Sequence, residues 1–309
     1  MSPRPTAGRP ARLLFFVGKG GVGKTTMASL VALKLARSGR RVLLNSIDPA
    51  HNLHDVFELP LGARPRQIVP GLEAMETDLD SWVKRYLRQT EEDLRSVYRY
   101  QETFNLHRYF RTLRYSPGLE EYAVLLALED TVRRYHDREF IIFDTPPTAL
   151  TLRFLALPDN ALLWLTELSA LRSLILEKKS IIVRVKHGRR GVLKDTDPIL
   201  DKIEALIERY RAVAALLKEP ERSRLFLVLN PDRLSLSESR VIWKQLRELQ
   251  IGVGHVILNK LREGEDVPQS LSREFPGARL VIQPRKLCDD ITGLELLESL
   301  PAPLDVAEL

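Results

Sequence analysis

Leu13-Leu14-Phe15-Phe16-Val17-Gly18-Lys19-Gly20-Gly21-Val22-Gly23-Lys24-Thr25-Thr26 is the stretch that decides the fold. Five apolar residues run without a break into a glycine-rich segment that fits the G-x-x-x-x-G-K-[ST] phosphate-binding pattern. The apolar run reads as a buried strand of a parallel sheet, and the residues after Gly23 read as a helix, the setting that the pattern requires. Gly18, Gly20, Gly21, Val22 and Gly23 let backbone N–H groups close around phosphate oxygens. Lys24 reaches the β/γ-phosphates, the Thr25 hydroxyl can ligate Mg2+, and Thr26 beside it is a further candidate for binding the nucleotide. A second lysine, Lys19, follows the first glycine directly. A phosphate loop does not require a cation there, and its presence suggests a nucleotide held between two subunits, with Lys19 of one reaching the phosphates of the other.

Short apolar runs alternate with helical patterns along the rest of the chain. Candidate strands are 13–17, 42–47, 140–143, 161–165, 225–229, 255–258 and 280–282. Most are continuous apolar runs, as expected of strands covered on both faces. The pattern predicts an α/β fold, a mostly parallel doubly wound sheet with helices on both faces. The first helix runs from about Thr25 to Ser38 and stops at Gly39, a good residue for a left-handed helix end. Another is expected to begin at Ser235, with Glu238 three residues on as a capping box. Segments of about 79–135 and about 167–220 are helical in pattern and rich in Arg, Leu and Tyr. They are expected to form one helical subdomain inserted into a single nucleotide-binding domain of residues 1–309, above the carboxyl edge of the sheet where ligands bind. Lys186-His187-Gly188-Arg189-Arg190-Gly191 reads as a basic loop.

Composition excludes several classes. The chain has 309 residues, 44% hydrophobic and 28% charged, with a formal net charge of +6. That is the balance of a folded domain with a full core. No run approaches the roughly 18 apolar residues of a membrane span. No apolar signal region precedes the first strand, so a cytoplasmic location is expected, with membrane contact only through partners. Cys288 is the only cysteine, so no intrachain disulfide, C-x-x-C zinc site or thiolate cluster can form.

Three further positions carry chemistry. Asp48, in Asp48-Pro49-Ala50-His51-Asn52-Leu53, stands at the carboxyl end of the second candidate strand, one crossover from the phosphate loop. There it can face a γ-phosphate and hold the attacking water, a role worth roughly 10²–10⁴ in rate. Asp144 ends the apolar run 140–143, the pattern of an acid that binds Mg2+ directly or through water. The segment Asp144–Pro158 then leads toward the second helical insertion and is placed to act as a switch. Asn259 ends another apolar run, and its amide can pair with an adenine edge.

Gly18–Thr25, Asp48–Leu53, Asp144–Pro158 and Asn259 occur in the order and approximate spacing of the ArsA/Get ATPases, and the resemblance covers most of residues 12–300. Residues 116–121 (SPGLEE) resemble that family's segment before the third sheet strand. Leu234–Arg240 resembles its late helix start. The resemblance implies a Mg2+-dependent ATPase that dimerises with ATP and whose helical subdomains rearrange with nucleotide state. It implies Lys19 acting in trans, Lys24 and Thr25 on phosphates and Mg2+, Asp48 on water, Asp144 on Mg2+ and Asn259 on adenine.

The departures are informative. Pump ATPases of the family bind metalloid through cysteines, helped by a histidine in D-T-A-P-T-G-H, where this chain has Ala149-Leu150. Soft As(III) prefers thiolates, so no metalloid site is expected, and no zinc clasp. Two functions fit. One is an ATP-gated carrier of apolar transmembrane helices, with Leu168, Leu171, Leu174, Ile175, Leu176 and 181–183 as apolar material. The other is an ATPase subunit energising a membrane anion or arsenite transporter. No specific nucleic-acid partner is expected. A membrane-cycling relative would end in a basic amphipathic helix, whereas Asp289–Leu309 is acidic and broken by prolines.

Overall fold

β1 (Arg12–Val17) lies inside the sheet, paired in parallel with β5 (Phe140–Asp144) on one side and β6 (Ser223–Leu229) on the other. The computed structural model describes residues 10–50, 52–97, 116, 118–187, 197–262, 264–265, 267, 271–285 and 291–303. Among them, β2 (Val42–Ser46), β4 (Leu72–Glu76) and β3 (Arg66–Val69) lie beyond β5. β7 (Val253–Leu261) and β8 (Arg279–Pro284) lie beyond β6. The eight-stranded order is β3-β4-β2-β5-β1-β6-β7-β8. Pairing is parallel except for β3 against β4, so the α/β doubly wound expectation holds.

Alternation along β1 assigns the two cores. Leu13, Phe15 and Val17 face α4 (Leu119–Arg134), α5 (Thr148–His187), α6 (Pro198–Lys218) and α7 (Arg233–Glu248), packing with Leu125, Phe154, Val213 and Leu246. Leu14 and Phe16 face α1 (Lys24–Arg37), α2 (Leu53–Phe57) and α8 (Leu294–Glu298), packing with Leu30, Leu33, Phe57 and Leu297. Stacked rings bind neighbouring strands, Phe15 on Phe143 at 5.1 Å and Phe16 on Phe226 at 4.8 Å. Full burial of such a side chain is worth roughly 1.5–3 kcal/mol, and the strands beside β1 are mostly apolar on both faces, as helices covering both sides of a sheet require.

α3 (Leu79–Val97), α4, α5 and α6 form the helical material beyond the sheet. α5 has 40 residues, about 60 Å at 1.5 Å per residue, and carries Pro158, which withholds one helical N–H. Two ion pairs fasten it to α6. Lys218 Nζ meets Asp159 Oδ1 at 2.9 Å, and Arg172 meets Asp197 through two bonds of 3.1 and 2.7 Å. Asp197 also caps α6 by accepting from the N–H groups of Ile199 and Leu200.

Several expectations are corrected. Residues 161–165 are not a strand but lie within α5. A five-residue apolar run cannot separate strand from helix by periodicity alone, and here Leu163 and Trp164 are exposed while Leu165 is buried, a helical split. The helix also begins at Thr148, well before residue 167. The helix expected at Ser235 starts at Arg233, because Asp232 supplies the cap by accepting from Ser235 N at 2.8 Å. β3 and β4 were missed: their turn at Pro70-Gly71 is short, and β3 is polar as an edge strand is. α1 matches to one residue at each end, with Gly39 at φ 85°. His51, Cys288 and residues 188–191 lie outside the described residues.

Candidate nucleotide-binding site

The loop between β1 and α1 is shaped by two close approaches. A Cβ on Gly18 would stand 2.3 Å from the carbonyl oxygen of Val228 in β6, so only glycine lets the chain turn there. Gly23, at φ 94°, is the N-cap of α1, and a Cβ there would stand 2.5 Å from the Asn259 amide nitrogen. α1 thus opens with uncapped N–H groups facing the loop, an anion site by backbone dipoles and helix terminus together.

Lys24 is buried in the first turn of α1, its ammonium 3.3 Å from the Lys19 carbonyl oxygen. Burial lowers its pKa, while the carboxylates of Asp144, Asp48 and Glu238 act in the opposite direction. Thr25 donates to Asp144 Oδ2 at 2.8 Å, and Ser46 at the end of β2 donates to the same oxygen at 3.1 Å. Asp144 is fully buried and its Oδ1 has no hydrogen-bond partner. Burial pushes its pKa up to about 6, against the opposing pull of Thr25, Lys24 and Ser46. Thr26 follows in the same turn of α1.

Asp48 is buried just past β2 and accepts from Ala50 N at 3.0 Å, a turn that shapes the segment leading into α2. Glu76, at the end of β4, accepts from the N–H groups of Leu53 and His54, both at 3.0 Å, and so caps α2 from another strand. On the far side of the loop, Asn259 donates to Val22 O at 2.8 Å. Lys260 donates to Gly21 O at 3.1 Å. The structure therefore brings Lys24, Thr25, Asp48 and Asp144 to one side of the loop and Asn259 to the other.

Lys19 points to α7. Its ammonium is 3.9 Å from Glu238 Oε2, and Thr148 at the start of α5 donates to Glu238 Oε1 at 3.1 Å. Sequence reasoning assigned Glu238 to a capping box, placed Thr148 only within the switch segment Asp144–Pro158, and gave Ser46, Glu76 and Lys260 no role. Ser46 lay within the candidate strand 42–47 and carried a signal as a polar residue near its end, whereas Glu76 lay on no candidate strand. Glu238 carried none, because its partners are 90 and 219 residues away in sequence.

Glu238 and Thr148 also border a cavity of about 1290 Å³ between α4, α5, α6 and α7, whose walls include Tyr122, Leu152, Trp164, Leu206, Val241 and Leu249. α5 exposes Leu163, Trp164, Leu171, Leu174, Ile175 and Ile181. Among the described residues, no helix is long and apolar enough to cross a membrane.

Comparisons with known proteins identify the family. The profile of the family described as anion-transporting ATPase matches residues 11–291. A protein from Aquifex aeolicus (strain VF5) named as an arsenical pump-driving ATPase is 30% identical over 277 residues, 89% of this chain and 87% of the relative. A second one from the same organism is also 30% identical, but the match spans only 65% of its length. The ATPase get3 of Schizosaccharomyces japonicus (strain yFS275 / FY16936) is 30% identical over 286 residues, 90% of this chain and 83% of that protein. With a phosphate loop of this build and a family match over nearly its whole length, the chain belongs to the ArsA ATPase family and is an ATPase.

Proposed function

We propose that the protein is an ATP-gated carrier of apolar helical segments, working as a homodimer closed by ATP and opened by hydrolysis. The observation that carries this reading is the chain of contacts from Lys19 through Glu238 to Thr148, which joins the phosphate loop to the wall of the apolar cavity. α5 also exposes apolar residues that do not line the cavity, Leu171, Leu174, Ile175 and Ile181 among them, and exposed apolar patches mark binding surfaces.

Gly18–Thr26 would hold the ATP phosphates, with Lys24 on the β/γ oxygens and Asn259 beside the adenine. The residues present fit Mg2+. Asp144 offers a buried oxygen without a partner, and the Thr25 hydroxyl stands against its other oxygen, a hard oxygen set suited to an ion that also takes phosphate and water ligands. When bound, the ion would neutralise charge on the phosphate oxygens. Asp48 orients the attacking water, and Lys19 leaves Glu238 to reach the nucleotide of the second subunit. Thr148 shares Glu238 with Lys19, so release of Lys19 lets Glu238 shift and carries nucleotide state through the Thr148 bond to the start of α5 at the cavity.

The test is capture of an apolar 20-residue helix by Asp48→Asn protein with ATP or ADP. Capture with ATP alone is the expected result; equal capture, or none with dimerisation intact, refutes the carrier reading. The names of the Aquifex aeolicus relatives favour a second reading, an ATPase driving a membrane pump. One cysteine per chain gives As(III) too few thiolates, so arsenite is expected to leave ATP hydrolysis unchanged. A several-fold stimulation lost in Cys288→Ser would move the assignment to the pump.

A further inference from the structure

β7 does not end as a regular strand. Its register against β8 runs His255↔Arg279 to Leu258↔Ile282 and then breaks, resuming at Leu261↔Pro284 with one residue extra on β7. The irregularity contains Asn259 and Lys260. Lys260 lies at φ 59°, one of three described non-glycine residues with positive φ. That conformation costs a side-chain-bearing residue of order 1 kcal/mol and is usually given to glycine. Bulges of this kind re-aim side chains beside functional sites. Here both side chains are aimed at the phosphate loop, Asn259 at Val22 O and Lys260 at Gly21 O.

The consequence follows from the planar trans peptide. In each unit the C=O and the following N–H point in opposite directions. Holding Gly21 O toward β7 therefore turns the Val22 N–H the other way, and holding Val22 O turns the Gly23 N–H likewise. Gly21, at φ 78° and with open space around its α-carbon, has no side chain to resist a peptide flip. A flip would present a carbonyl oxygen where the loop offers an amide. We propose that Lys260 is a positioning residue for ATP binding: its ammonium fixes the Gly21–Val22 peptide so that the Val22 N–H serves the phosphate cradle. The strained backbone at Lys260 and the bulge are the means by which β7 reaches the loop.

This inference rests on the reading of Gly18–Thr26 as the ATP site, and the experiment separates the two. ATP hydrolysis and fluorescent-ADP binding, with displacement by inorganic pyrophosphate, are measured in the full chain and in Lys24→Ala, Lys260→Met, Lys260→Gly and Lys260→Arg. Lys260→Met keeps the stem and removes the ammonium. Lys260→Gly also relieves the backbone, so it controls for folding. Both are expected to raise the ATP KM about 5–20-fold with kcat within about twofold, since one amide donor in a cradle of several is lost. Pyrophosphate affinity falls by the same factor, the melting temperature of Lys260→Gly does not drop, and Lys260→Arg recovers part of the affinity. An unchanged KM in Lys260→Met, or ATP weakened while pyrophosphate is not, overturns the bracing role. Binding that survives Lys24→Ala would instead overturn the site itself.

Discussion

His255 is expected to make the protein sensitive to acid. It is buried in β7 with its ring stacked 4.8 Å from Phe226 at 11°, and its Nδ1 has no hydrogen-bond partner. Burial, then the charges of Arg224 and Arg279, hold its pKa down at about 4 against an ordinary 6.5. The folded protein therefore binds this proton less readily than the unfolded chain. The stability it permits is fully present above pH 6.5 and is lost as pH falls through 6.5 toward 4. A shift of this size corresponds to about 3 kcal/mol in total, of which about 2 kcal/mol is gone by pH 5. His255→Phe removes the proton site and keeps a ring against Phe226. Its extra volume costs about 1–3 kcal/mol, but equally at every pH. Urea unfolding of both proteins at pH 8, 6.5 and 5 isolates the effect, because all other titrating groups cancel in the difference. The wild type should lose about 2 kcal/mol relative to His255→Phe between pH 8 and 5. A pH-independent difference would refute the reasoning. ATP hydrolysis at pH 8 should persist in His255→Phe, since His255 lies four residues, about 13 Å of strand, from Asn259.

Three further outcomes are expected. Gly18→Ala places a Cβ 2.3 Å from a backbone carbonyl of β6, which no side-chain rotation relieves; ATP affinity in a fluorescent-nucleotide titration should fall more than about tenfold. Glu76→Ala leaves the N–H groups of Leu53 and His54 without their shared acceptor, costing about 1–3 kcal/mol in denaturant unfolding; an unchanged midpoint would show that water replaces it. Glu238→Gln removes the charge that holds Lys19 at 3.9 Å. A pair of this exposure is worth under about 1 kcal/mol, so ATP-dependent dimerisation measured by light scattering should need up to about fivefold less ATP, and a need for more would contradict the latch.

The phosphate loop, the parallel sheet and the acids at strand ends were legible in the sequence because they are local. A buried strand is a continuous apolar run, and Leu13–Val17 followed by Gly18–Thr25 leaves few alternatives. Asp144 and Asp48 stood out as charges closing apolar runs. Residues 161–165 were misread and the β3–β4 hairpin was missed, where the run was short or the strand lay at a polar edge, and there tertiary packing rather than pattern decides. What only the fold could decide is which distant groups meet. Nothing near Glu238 in sequence announces that Lys19 and Thr148 converge on it. Nothing near Lys260 announces that a bulge at the end of β7 turns its ammonium onto Gly21. Local chemistry sets what each residue can do, but the order β5-β1-β6-β7 sets its neighbours, because hydrogen-bonded strands bring together the ends of segments more than 200 residues apart.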